Sequence, residues 1–191
     1  MKKLLLVITL SLLLLLAGCS QSDEEMTIFR AGFTEKEREL MWLLGKENDQ
    51  HIFDFLPGED VQTMDITVWK LEGKQWKELH KSSRQFVDER GRVAFEFDNI
   101  GENITISLQS KTNSGRTVSN GEKVEKRVTA TTTSLGVREK IVYGQEIPLI
   151  VQIVTDKSMV TTYGVETFHT PEKYATDGYE YVYAVTVKFD K

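Results

Sequence analysis

The residues able to do chemistry are few and scattered. One cysteine, Cys19, stands in 191 residues. A lone thiol cannot close a disulfide within the chain or build a cysteine zinc cluster. It remains a nucleophile. The three histidines, His51, His80 and His169, are spaced too widely for a metal motif, and none lies in a His-Glu-x-x-His run. No Gly-x-Ser-x-Gly elbow, phosphate loop or dinucleotide fingerprint occurs, and Ser114-Gly115 sits in a polar stretch. Two oxygen-rich turns, Asp98 with Glu102 and Asn103, and Glu47-Asn48-Asp49, carry calcium-type ligands without EF-hand spacing. Asp and Asn there also suit turn dihedrals. A carboxylate pair for glycoside hydrolysis meets in space, not in sequence, and nothing here raises it above background. The expectation is therefore a non-enzymatic chain with no cofactor and no metal. Tyr163, Phe168 and Tyr174, in the stretch before the last strand, are the candidate partner-binding residues, since exposed aromatics anchor interfaces. The alternative is that they plug one end of the fold.

Cys19 closes a distinctive N-terminus. Lys2 and Lys3 precede an apolar run, Leu4 to Leu16, broken only by Thr9 and Ser11. The run is shorter than the roughly 20 residues of a bilayer span. It has the length of a secretory signal's apolar region. At its end, Leu16-Ala17-Gly18-Cys19 resembles a bacterial lipobox, the signature of exported lipoproteins. The resemblance implies a diacylglycerol thioether on Cys19, cleavage just before it, and further acylation of the new N-terminus as an open option. Membrane lipid, held through acylated Cys19, is then one partner. The implied location is the extracytoplasmic face of the cell membrane, lipid-anchored.

This divides the chain into a signal peptide (1–18), a lipidated cysteine with a polar tether (19–37), and a domain (38–191). The tether carries Ser20, Gln21, Ser22, Asp23, Glu24 and Glu25. Met26, Ile28, Phe29 and Phe33 interrupt it and suit a first edge strand or a docked segment. Residues 1–18 hold 13 apolar residues and two lysines, so their removal takes the formal charge from −5 to −7. An acidic chain lacks the basic footprint a nucleic-acid binder needs.

The elements beyond the tether read as all-β. Short apolar runs alternate with turn signals every 8 to 15 residues, the spacing of a sandwich or barrel. Thr34 and Glu37 have capping-box spacing, yet a strand from Arg38 to Leu44 is preferred over a helix, because a turn and another strand follow. Phe53 and Phe55 share one face of a strand that Pro57-Gly58 ends. Glu72-Gly73-Lys74 turns one hairpin and sets Trp69 facing Trp76. Val93, Phe95 and Phe97, then Ile104, Ile106 and Leu108, alternate with polar residues and form the clearest hairpin. Asn113 to Gly121 reads as a long loop, and Lys123 to Ser134 as an edge strand. Ile147 to Thr155 is apolar on both faces and central, with Pro148 at its start. Tyr179 to Phe189 is the last strand, again central.

Eight to ten strands are expected, in a single antiparallel β-sandwich, immunoglobulin-like in the broad sense; the alternative is a closed β-barrel. Gly144-Gln145-Glu146-Ile147-Pro148-Leu149, with Tyr181-Val182-Tyr183-Ala184-Val185-Thr186-Val187-Lys188-Phe189, is similar to small uncharacterised lipoproteins of low-GC Gram-positive bacteria. That similarity implies a surface location and no activity. The functional expectation is a membrane-anchored binding or interaction module with an envelope protein or polymer partner. A small-molecule or ion-binding lipoprotein is the alternative, and an envelope hydrolase a third.

Overall fold

A computed structural model describes residues 25–45, 51–85, 88–121, 123 and 129–191. The expectations for residues 1–18, for Cys19, for tether residues 20–24, for Glu47-Asn48-Asp49 and for residues 124–128 of the expected Lys123–Ser134 strand lie outside the described residues. The chain enters β1 (Thr27–Arg30), passes through α1 (Glu35–Leu43) and returns in β2 (His51–Leu56). β3 (Thr63–Glu72) and β4 (Gln75–Gln85) form a long hairpin. β5 (Gly91–Glu96), β6 (Asn103–Ser110) and β7 (Ser114–Asn120) form a meander. β8 (Thr129–Ser134), β9 (Glu139–Lys140) and β10 (Ile147–Thr155) follow. A 3₁₀ turn (Val165–His169) and α2 (Glu172–Asp177) then lead to β11 (Tyr181–Asp190).

Two antiparallel sheets result, ordered β7-β6-β5-β2-β1-β9 and β4-β3-β11-β10-β8. Neither closes on itself, so the fold is a sandwich and the barrel alternative is excluded. The expected alternation builds the core. Phe95 pairs with Ile106 and Val93 with Leu108, all four buried. Opposite them, Met64, Ile66 and Val68 pair with Phe189, Val187 and Val185. Phe55 meets Phe189 across the interior with ring centroids 5.4 Å apart.

Buried polar groups cost free energy unless paired, and Gln152 shows how one is satisfied. Its Oε1 accepts from the Ile100 N–H (2.8 Å). Its Nε2 donates to the Asp98 carbonyl (3.0 Å) and to Thr132 Oγ1 (3.2 Å). One side chain of the second sheet thereby holds the turn that joins β5 to β6 in the first.

Five expectations are corrected. Eleven strands form among the described residues, six in one sheet and five in the other, not eight to ten, because β7 and the two-residue β9 are recruited by ladder partners without an alternation of their own. The sandwich starts at Thr27, inside the 19–37 span assigned to the tether: Ile28 is fully buried and pairs with Phe55. Residues 35–43 are a helix, not a strand, because the capping box forms. Thr34 Oγ1 accepts from the Glu37 N–H, and Glu37 Oε2 accepts from the Thr34 N–H (2.7 Å). The stretch Asn113–Gly121 contains β7, an edge strand. It is polar on both faces, so it lacks an alternation signal, and the ladder to β6 recruits it. Trp69 and Trp76 do not stand opposite one another. A bulge after Val68 sets Trp69 against Glu78 and Trp76 against Leu71.

Candidate functional site

A concavity lies beside β8, where the chain leaves the second sheet for the first. β8 pairs with β10 alone, and its other edge carries no strand among the described residues. Residues 135–138 cross to β9, which pairs with β1. The chain returns through the Ile141 N–H donating to the Met26 carbonyl and the Gly144 N–H to the Phe189 carbonyl. Pro148 opens β10, a position where a ladder tolerates proline. The second wall is the 3₁₀ turn, which packs on β10. That cover explains why β10 is buried along its whole length.

The resulting groove holds about 840 Å³. Ile147, Pro148, Leu135 and Val165 supply its apolar lining, and Val137 and Val142 are exposed at it. Glu139, Glu146 and Glu166 outnumber Lys140 and His169 as charged or titratable groups. Glu146 is fixed in place: its carboxylate accepts from Thr186 Oγ1 (2.5 Å), which also accepts from Trp69 Nε1 (2.9 Å). Gly164 leaves room for the Glu166 carboxylate, which a Cβ at that position would strike.

The expected partner-binding aromatics pack on one another and on Trp69 and Trp76. Phe168 stacks on Trp76 (5.0 Å, 21°) and tilts against Trp69 (6.0 Å). Trp76 Nε1 donates to the Phe168 carbonyl (2.7 Å). Tyr174 meets Trp76 and Tyr163 edge-on at 6.1 and 5.1 Å. Phe168 is buried, Tyr174 is 1% exposed, and Tyr163 is half-buried. These residues therefore form the plug, and only Phe168 reaches the groove wall. The physical reason is the outer face of β3, β10 and β11, whose apolar residues need a cover.

The plug has its own polar accounting. Tyr163 donates to Asp177 Oδ2 (2.6 Å), and with that carboxylate beside it the phenol is raised to about 12. Burial pushes the Tyr174 phenol up, and its hydroxyl has no hydrogen-bond partner among the described residues.

The scattered chemistry stays scattered. His51 stacks on Phe97 (4.9 Å) and bonds Ser134 Oγ, His80 lies in β4, and His169 packs edge-on against Phe168. In the Asp98–Asn103 turn, Asn99 Oδ1 accepts from the Gly101 N–H and Asn99 Nδ2 donates to the Glu102 carboxylate (3.5 Å). Ser114 lies in β7. Among the described residues no group of three His, Cys, Asp or Glu could hold a metal ion. No described helix is long and apolar enough to cross a membrane. Nothing in the sequence marked the groove, because its apolar lining comes from separate segments, Leu135 to Pro148 and Gly164 to His169, that only the fold brings together. Compared with family profiles, curated proteins and solved structures, the chain matches none.

Proposed function

We propose that the chain is a non-enzymatic binding module, held on the outer face of a membrane by acylated Cys19. It takes an extended peptide segment of an envelope protein along β8. The observation that supports this is a strand edge, unpaired among the described residues, that runs into an apolar groove. The β8 sequence, Thr-Ala-Thr-Thr-Thr-Ser, carries none of the charges that blunt an edge against pairing. Thr133 and Ser134 continue into the groove wall. In strand addition, main-chain hydrogen bonds supply affinity and flanking pockets supply specificity. The three glutamates favour a segment that is apolar and basic. The volume of about 840 Å³ also favours a second reading, a small-molecule site, since such sites span roughly 300–1,000 Å³.

The test is photo-crosslinking in intact cells from position 137, with the same group at Met159, which is also exposed, as control. The expected result is an adduct to one envelope protein from position 137 only, lost in Val142→Asp. Equal labelling from both positions, or none, overturns the docking site. Acyl labelling of the precursor tests the anchor separately: label that persists in Cys19→Ser overturns it.

A further inference from the structure

Helix α1 ends in an apolar tip that the sandwich leaves uncovered. Its residues divide end to end, Glu35-Lys36-Glu37-Arg38-Glu39 and then Leu40-Met41-Trp42-Leu43, and none is buried. Leu40 is 57% exposed, Trp42 65%, Leu43 74% and Leu44 64%. At 3.6 residues per turn, Leu40, Leu43 and Leu44 cover one side of the last turn and Trp42 the opposite side. No rotation about the helix axis hides such a tip.

The charged half fixes where the tip points. Glu37 pairs with Arg92, which forks onto Asp54 with 2.6 and 3.0 Å bonds. These residues belong to β5 and β2, so α1 is held at its start and projects its end. Two of the tip's carbonyls, those of Leu40 and Trp42, are met by the cap. Leu44 N–H donates to the Leu40 carbonyl, and Gly45, at φ 66°, donates to the Trp42 carbonyl. Satisfied carbonyls are a condition for entering an apolar phase.

The length of chain before the fold says what lies beside this tip. Cys19 is six residues from Glu25, the first described residue. At no more than about 3.6 Å per residue, Cys19 lies within about 22 Å of it by any path. α1 is about 14 Å long at 1.5 Å per residue. Glu37 pairs with Arg92, Arg92 stands opposite Asp54, and Asp54 opposite Phe29, four residues past Glu25. The start of α1 therefore lies about two strand spacings from β1, and a membrane that holds Cys19 is within reach of the helix.

We propose that the α1 tip inserts into the interface of the bilayer on which the chain is anchored. Trp42 sits at headgroup level, where the indole finds both polar and apolar surroundings. Leu40, Leu43 and Leu44 enter the acyl boundary. The diacyl anchor already holds the chain on the membrane, and this second contact fixes how the domain stands on it. It also turns the domain, so that the groove beside β8 takes a defined height above the lipid. The proposal rests on the lipid-anchor reading given above.

The test reconstitutes the full chain in vesicles of phosphatidylcholine with a minor share of phosphatidylglycerol, with or without acyl-brominated phosphatidylcholine. Brominated lipid is expected to quench part of the tryptophan emission, and Trp42→Phe to abolish that quenching while Trp69 and Trp76 still emit. Leu43→Ser with Leu44→Ser keeps Trp42 as reporter and is expected to cut the quenching several-fold. Absent quenching in the wild type, or equal quenching in Trp42→Phe, overturns insertion. A dimer that dissociates in the Leu43→Ser, Leu44→Ser variant, without quenching, also overturns it and marks a second copy as the occupant. Labelling of Cys19 with an acyl probe separates the two readings. A labelled chain without quenching loses insertion alone, and an unlabelled chain loses both.

Discussion

Trp76 and Trp42 are the same residue in opposite circumstances. Trp76 is half-buried, stacked on Phe168, with its indole N–H spent on a carbonyl. Trp42 is 65% exposed at the end of a helix that buries nothing. Both lie in stretches that mix aromatic with charged residues, so local composition does not separate them. What separates them is whether a distant segment arrives to cover the ring. The 3₁₀ turn and α2 reach Trp76 from some 90 positions away along the chain. Among the described residues nothing reaches Trp42. An aromatic cluster that completes its own packing belongs to the fold, and one left open marks a surface for something else.

The largest break in this contrast comes from Phe168→Ala. Removing the ring that joins Trp69 to Trp76 is expected to cost about 3–5 kcal/mol, the range for a buried aromatic truncated to alanine. Urea unfolding measures it, and a loss below about 1 kcal/mol, the range of an ordinary substitution, would mean the plug is not part of the core.

Tyr163→Phe removes the bond to Asp177 and is expected to cost about 1 kcal/mol at neutral pH. Its pH dependence sharpens the contrast further. The folded phenol is raised from 10.0 to about 12, so it stabilises fully below the unfolded value. That contribution is lost as pH rises through the window from 10 to about 12. Unfolding monitored across this window should show a shallower alkaline decline in the variant. An identical decline would show that Tyr163 does not titrate in the plug.

The smallest expected effect is at the other tryptophan. Trp42→Ser should leave stability within about 0.5 kcal/mol, as for an uncovered surface residue. A larger fall in the melting temperature would show that the α1 tip is covered by the domain itself, and would remove the contrast.

Much of the fold was legible because alternation is local. Val93 and Phe95 against Ala94 and Glu96 declare which face is buried, whatever packs on it. Pro148 marked the start of β10, and the polar threonines of β8 marked an edge. α1 was legible in the Thr34–Glu37 spacing, but the pull of neighbouring strands on the reading outweighed it. β7 was not legible, since a ladder partner, not its own side chains, makes Ser114–Asn120 a strand. The candidate site was the least legible part. Tyr163, Phe168 and Tyr174 were visible as a group, yet their role depended on the uncovered outer face of a sheet built from three other segments.

Sequence alone determined the class of the fold, two layers of short antiparallel strands, because period-two patterning, prolines and glycine turns act within a few residues. It also placed the one cysteine just after an apolar run, which is a statement about local order along the chain. The tertiary structure decided which aromatics are plug, which apolar tip stays open, and where an unpaired edge meets a groove. Those outcomes depend on which segments, far apart in sequence, come to lie on one another, and no local pattern records that.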